Sequence, residues 1–118
     1  MAVNFANPLY WIALYDSLTT GVGGNPIAPV TLPNELSYRF LRVTANAPNA
    51  KPTWRWGGYC ILKVNESNPQ VQVIRLFCPV NTPVILIVPD YLVSYRVSFE
   101  PPRWFDELDL KVDGYTGQ

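Results

Sequence analysis

This sequence predicts an all-β fold: a single antiparallel β-sandwich or barrel of about six to eight strands with extended terminal arms. Two observations carry that reading. Twelve prolines, at positions 8, 26, 29, 33, 48, 52, 69, 79, 83, 89, 101 and 102, break the apolar stretches every ten or so residues on average, which leaves little room for helices. Between the breaks the hydrophobic period is two. Tyr91, Val93, Tyr95, Val97 and Phe99 alternate with Leu92, Ser94, Arg96, Ser98 and Glu100, the pattern of a strand with one buried and one wet face.

The other elements follow in order. Residues 9–15 (LYWIALY) can place Leu9, Trp11, Ala13 and Tyr15 on one face of a strand. Residues 36–44 (LSYRFLRVT), 54–64 (WRWGGYCILKV) and 70–77 (QVQVIRLF) are rich in the β-branched and aromatic side chains that suit a pleated surface. Residues 84–88 (VILIV) have no alternation, which predicts a central strand covered on both faces. Residues 17–34 have no usable period and read as a long loop of the kind that tends to be functional or disordered. The chain reads as one domain over 1–118: an N-terminal arm at 1–8, a β core at 9–103 and a C-terminal arm at 104–118. The last of these holds Trp104, Phe105, Leu108, Leu110, Val112 and Tyr115, too much apolar surface for a solvated tail, so it is expected to pack either on a neighbour or on its own core.

Composition narrows the function. The chain has no histidine, only 15% charged residues, and 4 Trp, 7 Tyr and 5 Phe in 118 residues. Average domains carry about 25% charge, so part of this surface is expected to meet something other than water. Without histidine the usual general base near neutral pH and the commonest metal ligand are both missing. A balance of 9 basic and 9 acidic residues gives no pull toward nucleic acid or anionic lipid. The first basic residue is Arg39 and the N-terminal apolar run is short, so neither a signal peptide nor a membrane span is expected, and a cytoplasmic origin follows. In that compartment Cys60 and Cys78 are expected to be free thiols acting as small apolar side chains.

Local motifs were weighed against simpler readings. Trp54-Arg55-Trp56-Gly57-Gly58-Tyr59 could stack two indoles and a phenol on a sugar ring, or fill a core or interface with the glycines forming a bulge. The second is favoured, because no carboxylate or amide lies close by in sequence. Gly21-Val22-Gly23-Gly24 lacks the Lys-Ser/Thr and the helix that a phosphate loop needs. Asp109, Asp113 and Gly114 match part of a calcium loop, but Lys111 occupies its third position and the chain stops before the bidentate Glu. Asn65-Glu66-Ser67 reads as a turn. The carboxylates are scattered and neither cysteine has a histidine to activate it, so no catalytic residues, metal or cofactor are expected. Arg39, Arg42, Arg55, Arg75 and Arg96 suit ion pairs, within the chain or between subunits.

The expected function is therefore a non-enzymatic structural subunit that assembles with itself, as a homo-oligomer, and with a larger protein assembly. Its expected interface is Trp104, Phe105, Leu108, Leu110 and Tyr115. In general character the layout resembles small virion components, such as capsid decoration (cement) or tail proteins of tailed phages, which implies a virion location. The alternative is a carbohydrate- or small-ligand-binding β-sandwich that uses Trp54, Trp56 and Tyr59.

Overall fold

The computed structural model describes residues 3–20, 29–34, 36–47, 57–64, 72–88, 95–101 and 107–117. They form a single turn of 3₁₀ helix, Pro8–Tyr10, and eight strands: β1 Trp11–Thr20, β2 Val30–Thr31, β3 Phe40–Asn46, β4 Gly57–Val64, β5 Gln72–Pro79, β6 Val84–Ile87, β7 Tyr95–Glu100 and β8 Glu107–Tyr115. Two four-stranded antiparallel sheets result, ordered β1-β8-β3-β6 (sheet A) and β2-β7-β4-β5 (sheet B). No helix among the described residues is long and apolar enough to cross a membrane.

The two sheets meet through one hydrophobic core, and the period of two decides which side chains enter it. Sheet A supplies Leu41, Val43 and Ala45 from β3 and Leu108, Leu110 and Val112 from β8; sheet B supplies Cys60, Leu62, Cys78, Tyr95, Val97 and Phe99. Strand β7 shows the expected alternation, with Tyr95, Val97 and Phe99 buried between half-buried Arg96, Ser98 and Glu100. Tyr95 carries a polar tip into this core without leaving it unpaired. Its hydroxyl donates to the Tyr38 carbonyl at 2.7 Å and accepts from the Tyr38 amide at 3.1 Å. A tight turn after β5 carries the chain from sheet B to sheet A. There Asn81 adopts φ 59°, a conformation asparagine tolerates better than most residues. Its amide donates to the Ala45 carbonyl at 2.7 Å and its side-chain oxygen accepts from the Ala47 amide at 2.9 Å, tying the corner to β3.

Three expectations are corrected: the C-terminal arm, the loop at 17–34, whose residues 17–20 and 30–31 belong to β1 and β2, and the central place of VILIV. The segment expected as a C-terminal arm holds β8, an inner strand of sheet A that pairs with β1 on one side and β3 on the other. Its apolar residues belong to the chain's own core, with Leu108 0% and Leu110 1% exposed. The N-terminal segment also lies on the chain itself. Phe5 packs on Trp11, Phe40 and Tyr115, the Asn4 amide donates to the Tyr115 hydroxyl at 3.0 Å, and the Trp11 indole donates to the Phe5 carbonyl at 2.8 Å. Finally, VILIV is an edge strand that, among the described residues, pairs only with β3, and Ile87 is 66% exposed. Continuous apolarity is shared by covered central strands and by short strands at a sandwich rim, so the run alone did not separate them.

On the outer face of sheet A, Arg42 stands directly opposite Asp113. Its Nε and Nη2 both donate to Asp113 Oδ2, at 3.2 and 3.1 Å, and its guanidinium lies 4.5 Å from the Trp11 ring centroid. Asp113 is nearly enclosed while Arg42 keeps about a third of its side-chain surface. Asp113→Ala is therefore expected to cost about 2 kcal/mol, below the range for a fully buried pair because water screens the arginine. Urea unfolding of Asp113→Ala, Arg42→Ala and the double variant checks this. Strictly additive losses would mean the pair contributes nothing.

Cys60 and Cys78 are both buried and free, as expected. Burial, reinforced by the neighbouring Cys78, pushes the Cys60 thiol up from 9.0 to about 12, and burial raises Cys78 as well. An unfolded thiol ionises first, so the folded state binds more protons above about pH 9 and stability falls as pH rises through that window. Native protein is expected to resist thiol reagents at pH 9 and to label at both positions once unfolded. Rapid native labelling would contradict the burial.

Candidate interaction surface

The outer face of sheet B carries the most distinctive side-chain arrangement outside the core. Alternation on β4 turns Tyr59, Ile61 and Lys63 outward, and register brings Phe77 of β5 and Glu100 of β7 opposite Tyr59 on either side. Tyr59 and Phe77 meet edge to face with centroids 5.5 Å apart. Arg75, two residues before Phe77 and so on the same face, lays its guanidinium 4.1 Å from the Tyr59 ring centroid. The same group reaches Glu100 at 3.2 Å, so one side chain rooted on β5 crosses β4 to β7. An exposed ion pair of this kind contributes little stability. Its effect here is to hold the guanidinium flat on the ring.

The result is a preset cluster of two rings and a cation that remains open to solvent, with Tyr59 37% and Phe77 42% exposed. Further along the face, Lys63 and Arg96 stand directly opposite each other. With Thr31 and Ser98 they line a shallow hollow of about 150 Å³. The surface thus runs from an aromatic centre to a basic end. A larger hollow, about 280 Å³, lies beside the docked N-terminal segment between Val3, Tyr38, Arg39, Phe40 and Tyr115.

Of the residues expected to form an interface, Leu108 and Leu110 are enclosed in the core, and Tyr115 is covered by Phe5, Tyr10 and Trp11. Trp104 and Phe105 lie outside the described residues, as do Trp54 and Trp56 of the alternative ligand site. Tyr59 does face outward, but Arg75 already lies against its ring and Phe77 holds its edge. The partners of Tyr59 were missed because they come from β5 and β7. The only signal in the sequence was the two-residue spacing that puts Arg75 and Phe77 on one face.

The acidic residues give no comparable cluster. Asp109 of β8 and Asp16 of β1 are near neighbours on the outer face of sheet A, since Asp16 pairs with Lys111. Partial desolvation, then the hydrogen bond and charge of Asp16, raise the Asp109 carboxyl above its ordinary value, and Lys111 opposes the shift. Among the described residues no three His, Cys, Asp or Glu side chains come together in a way that could hold a metal ion. Comparison with protein-family models, with curated proteins and with solved structures gave no match, so the surface itself is what the functional reading rests on.

Proposed function

We propose that this protein is a non-enzymatic structural subunit that works through protein–protein contacts, with the outer face of sheet B as its principal contact surface. The observation that carries the reading is the open Tyr59–Arg75–Phe77 cluster. Tyrosine and arginine are among the residues that dominate binding energy at protein interfaces. Here they are held in place before any partner arrives, which lowers the entropy lost on docking. The low charge of the chain supports the same reading, because interface centres are depleted of charge. The finer proposal is a component of a virion, such as a capsid decoration or tail protein of a tailed phage, present there in several copies. It draws on the small aromatic β domain with few charges.

The competing reading, a carbohydrate-binding module, makes a different demand on the same residues. A sugar needs the flat face of Tyr59, against which Arg75 lies. Intrinsic fluorescence titrated with a panel of mono- and oligosaccharides is expected to show no saturable change. Sedimentation of the wild type and of Phe77→Asp should show association that the variant weakens. A saturable sugar response that disappears in Tyr59→Ala would replace the assembly reading with the ligand-binding one.

A further inference from the structure

Strand β1 is the longest among the described residues, ten residues, and lies at the rim of sheet A with β8 as its partner. Among the described residues nothing pairs with its other side. The opposite rim is β6, only four residues long. Proteins usually blunt such a rim with proline, lysine, a bulge or brevity, because its unpaired amides and carbonyls are a template for another strand. In β1 the register shifts between Ala13 and Tyr15, which interrupts the first half. Residues 15–20 (YDSLTT) then run regularly, with no proline or lysine and a single charge, Asp16.

Leu18 is the anomaly in this run. It pairs with Asp109 on the outer face, has Asp16 two residues away on the same face, and is 60% exposed. Most of this apolar side chain meets water in the isolated chain.

We propose that a second copy of this chain adds to β1, antiparallel and in one register, with a two-fold axis passing beside Leu18, so that two sheets A join into one. The side-chain pattern selects both the occupant and the register. A symmetric pairing that keeps like faces together within 15–20 can centre on Asp16, Ser17, Leu18 or Thr19, and the last of these pairs only 18–20. Centring on Asp16 sets that carboxylate against its own copy, a destabilising like-charge pair. Centring on Ser17 sets Leu18 against Asp16. Centring on Leu18 sets leucine against leucine and Ser17 against Thr19, apolar and hydroxyl pairs of the kinds that stabilise sheets, with Asp16 opposite a threonine position. Of the registers that oppose no like charges and set no leucine against a carboxylate, this one pairs the most residues, 16–20 against the 18–20 of a Thr19 centre. A chain of zero formal net charge adds no long-range repulsion between copies.

A rim contact of this length is small, so the dimer is weak and concentration-dependent. The inference rests on the assembly reading only in taking a protein as the occupant; its surface is separate from the Tyr59–Phe77 face.

Two cysteine variants of the full chain give the decisive test. Directly opposite residues in antiparallel strands have Cα atoms about 4.5–5.5 Å apart, within disulfide reach, so L18C should cross-link to its own copy under mild oxidation. In the same dimer the two copies of position 16 lie four residues apart along the pairing, about 13 Å, so D16C should not. Cys60 and Cys78 are buried and do not compete. Sedimentation velocity of Phe77→Asp, in which contacts through sheet B are weakened, should still show a monomer–dimer shift from about 1 to 200 μM, and L18K added to it should abolish that shift by facing two ammonium groups. A wild type that stays monomeric throughout, or D16C cross-linking as well as L18C, overturns the proposal. If L18K does not fold, the cysteine pair decides. Self-association that survives L18K but is lost in Phe77→Asp overturns the rim pairing and leaves the function proposed for sheet B standing.

Discussion

Truncation after Pro102 is expected to abolish folding. The cut removes β8, the strand that joins β1 to the rest of sheet A. It also removes Leu108, Leu110 and Val112 from the core, where each is at most 1% exposed. Burial of each such side chain contributes about 1.5–3 kcal/mol. Together they approach the whole net stability of a typical domain, about 5–15 kcal/mol. Strands β1 and β3 would in addition each lose a full ladder of backbone partners, and the N-terminal segment would lose Tyr115 beneath it. Circular dichroism in the aromatic region and urea titration give the readout: no tertiary signal and no cooperative transition. A truncated chain that still unfolds cooperatively would show β8 to be dispensable.

Replacing Gly58 with alanine is expected to cost about 3 kcal/mol, the upper part of the usual range for overpacking. Gly58 is inward-facing at the start of β4, opposite Cys78. A Cβ there would collide with the main-chain carbonyl oxygen of Glu100 and with the ring of Phe99. The ring could be displaced, but the carbonyl belongs to β7 and cannot rotate away without breaking its ladder. Gly57 meets a similar obstacle in the carbonyl of Cys78. For a chain of this length the loss should appear as a fall in Tm of about 10–15 °C. A change under about 2 °C would show that β4 and β7 separate easily. In that case the close approach would not be what requires glycine.

The fold class was legible because it depends on local signals. Proline spacing excluded long helices, and period-two alternation marked β7 well enough to assign the buried role of Tyr95, Val97 and Phe99. What escaped was set by pairing between distant segments. β8 reads ELDLKVDGY, charged residues alternating with Leu108, Leu110 and Val112, so its strand period was present in the sequence and only its place between β1 and β3 was not. The second half of β1 reads as loop because 17–34 has no usable period, yet residues 17–20 pair with β8 all the same. β2, two residues beside β7, is too short to have any period. The contact surface was half legible. Tyr59 was singled out, whereas Arg75 and Phe77 join it only through the β4–β5 register. The arginines gave a cleaner result: Arg42 and Arg75 both pair within the chain.

The pairing of β1 with β8 also sets the order of events at the ribosome. Trp11 pairs with Tyr115, 104 positions later (115 − 11), so β1 waits for β8 to be made. At about 5–20 residues per second, translation leaves β1 without its neighbour for roughly 5–20 s. Contacts of such long sequence separation are slow to close even afterwards. Throughout that interval WIALYDSLTT is an unpaired strand carrying Trp11, Ile12, Leu14, Tyr15 and Leu18. The nascent chain is thus exposed to misassociation through the same segment that later forms the rim of sheet A, and a chaperone that binds extended apolar peptides would find its substrate there.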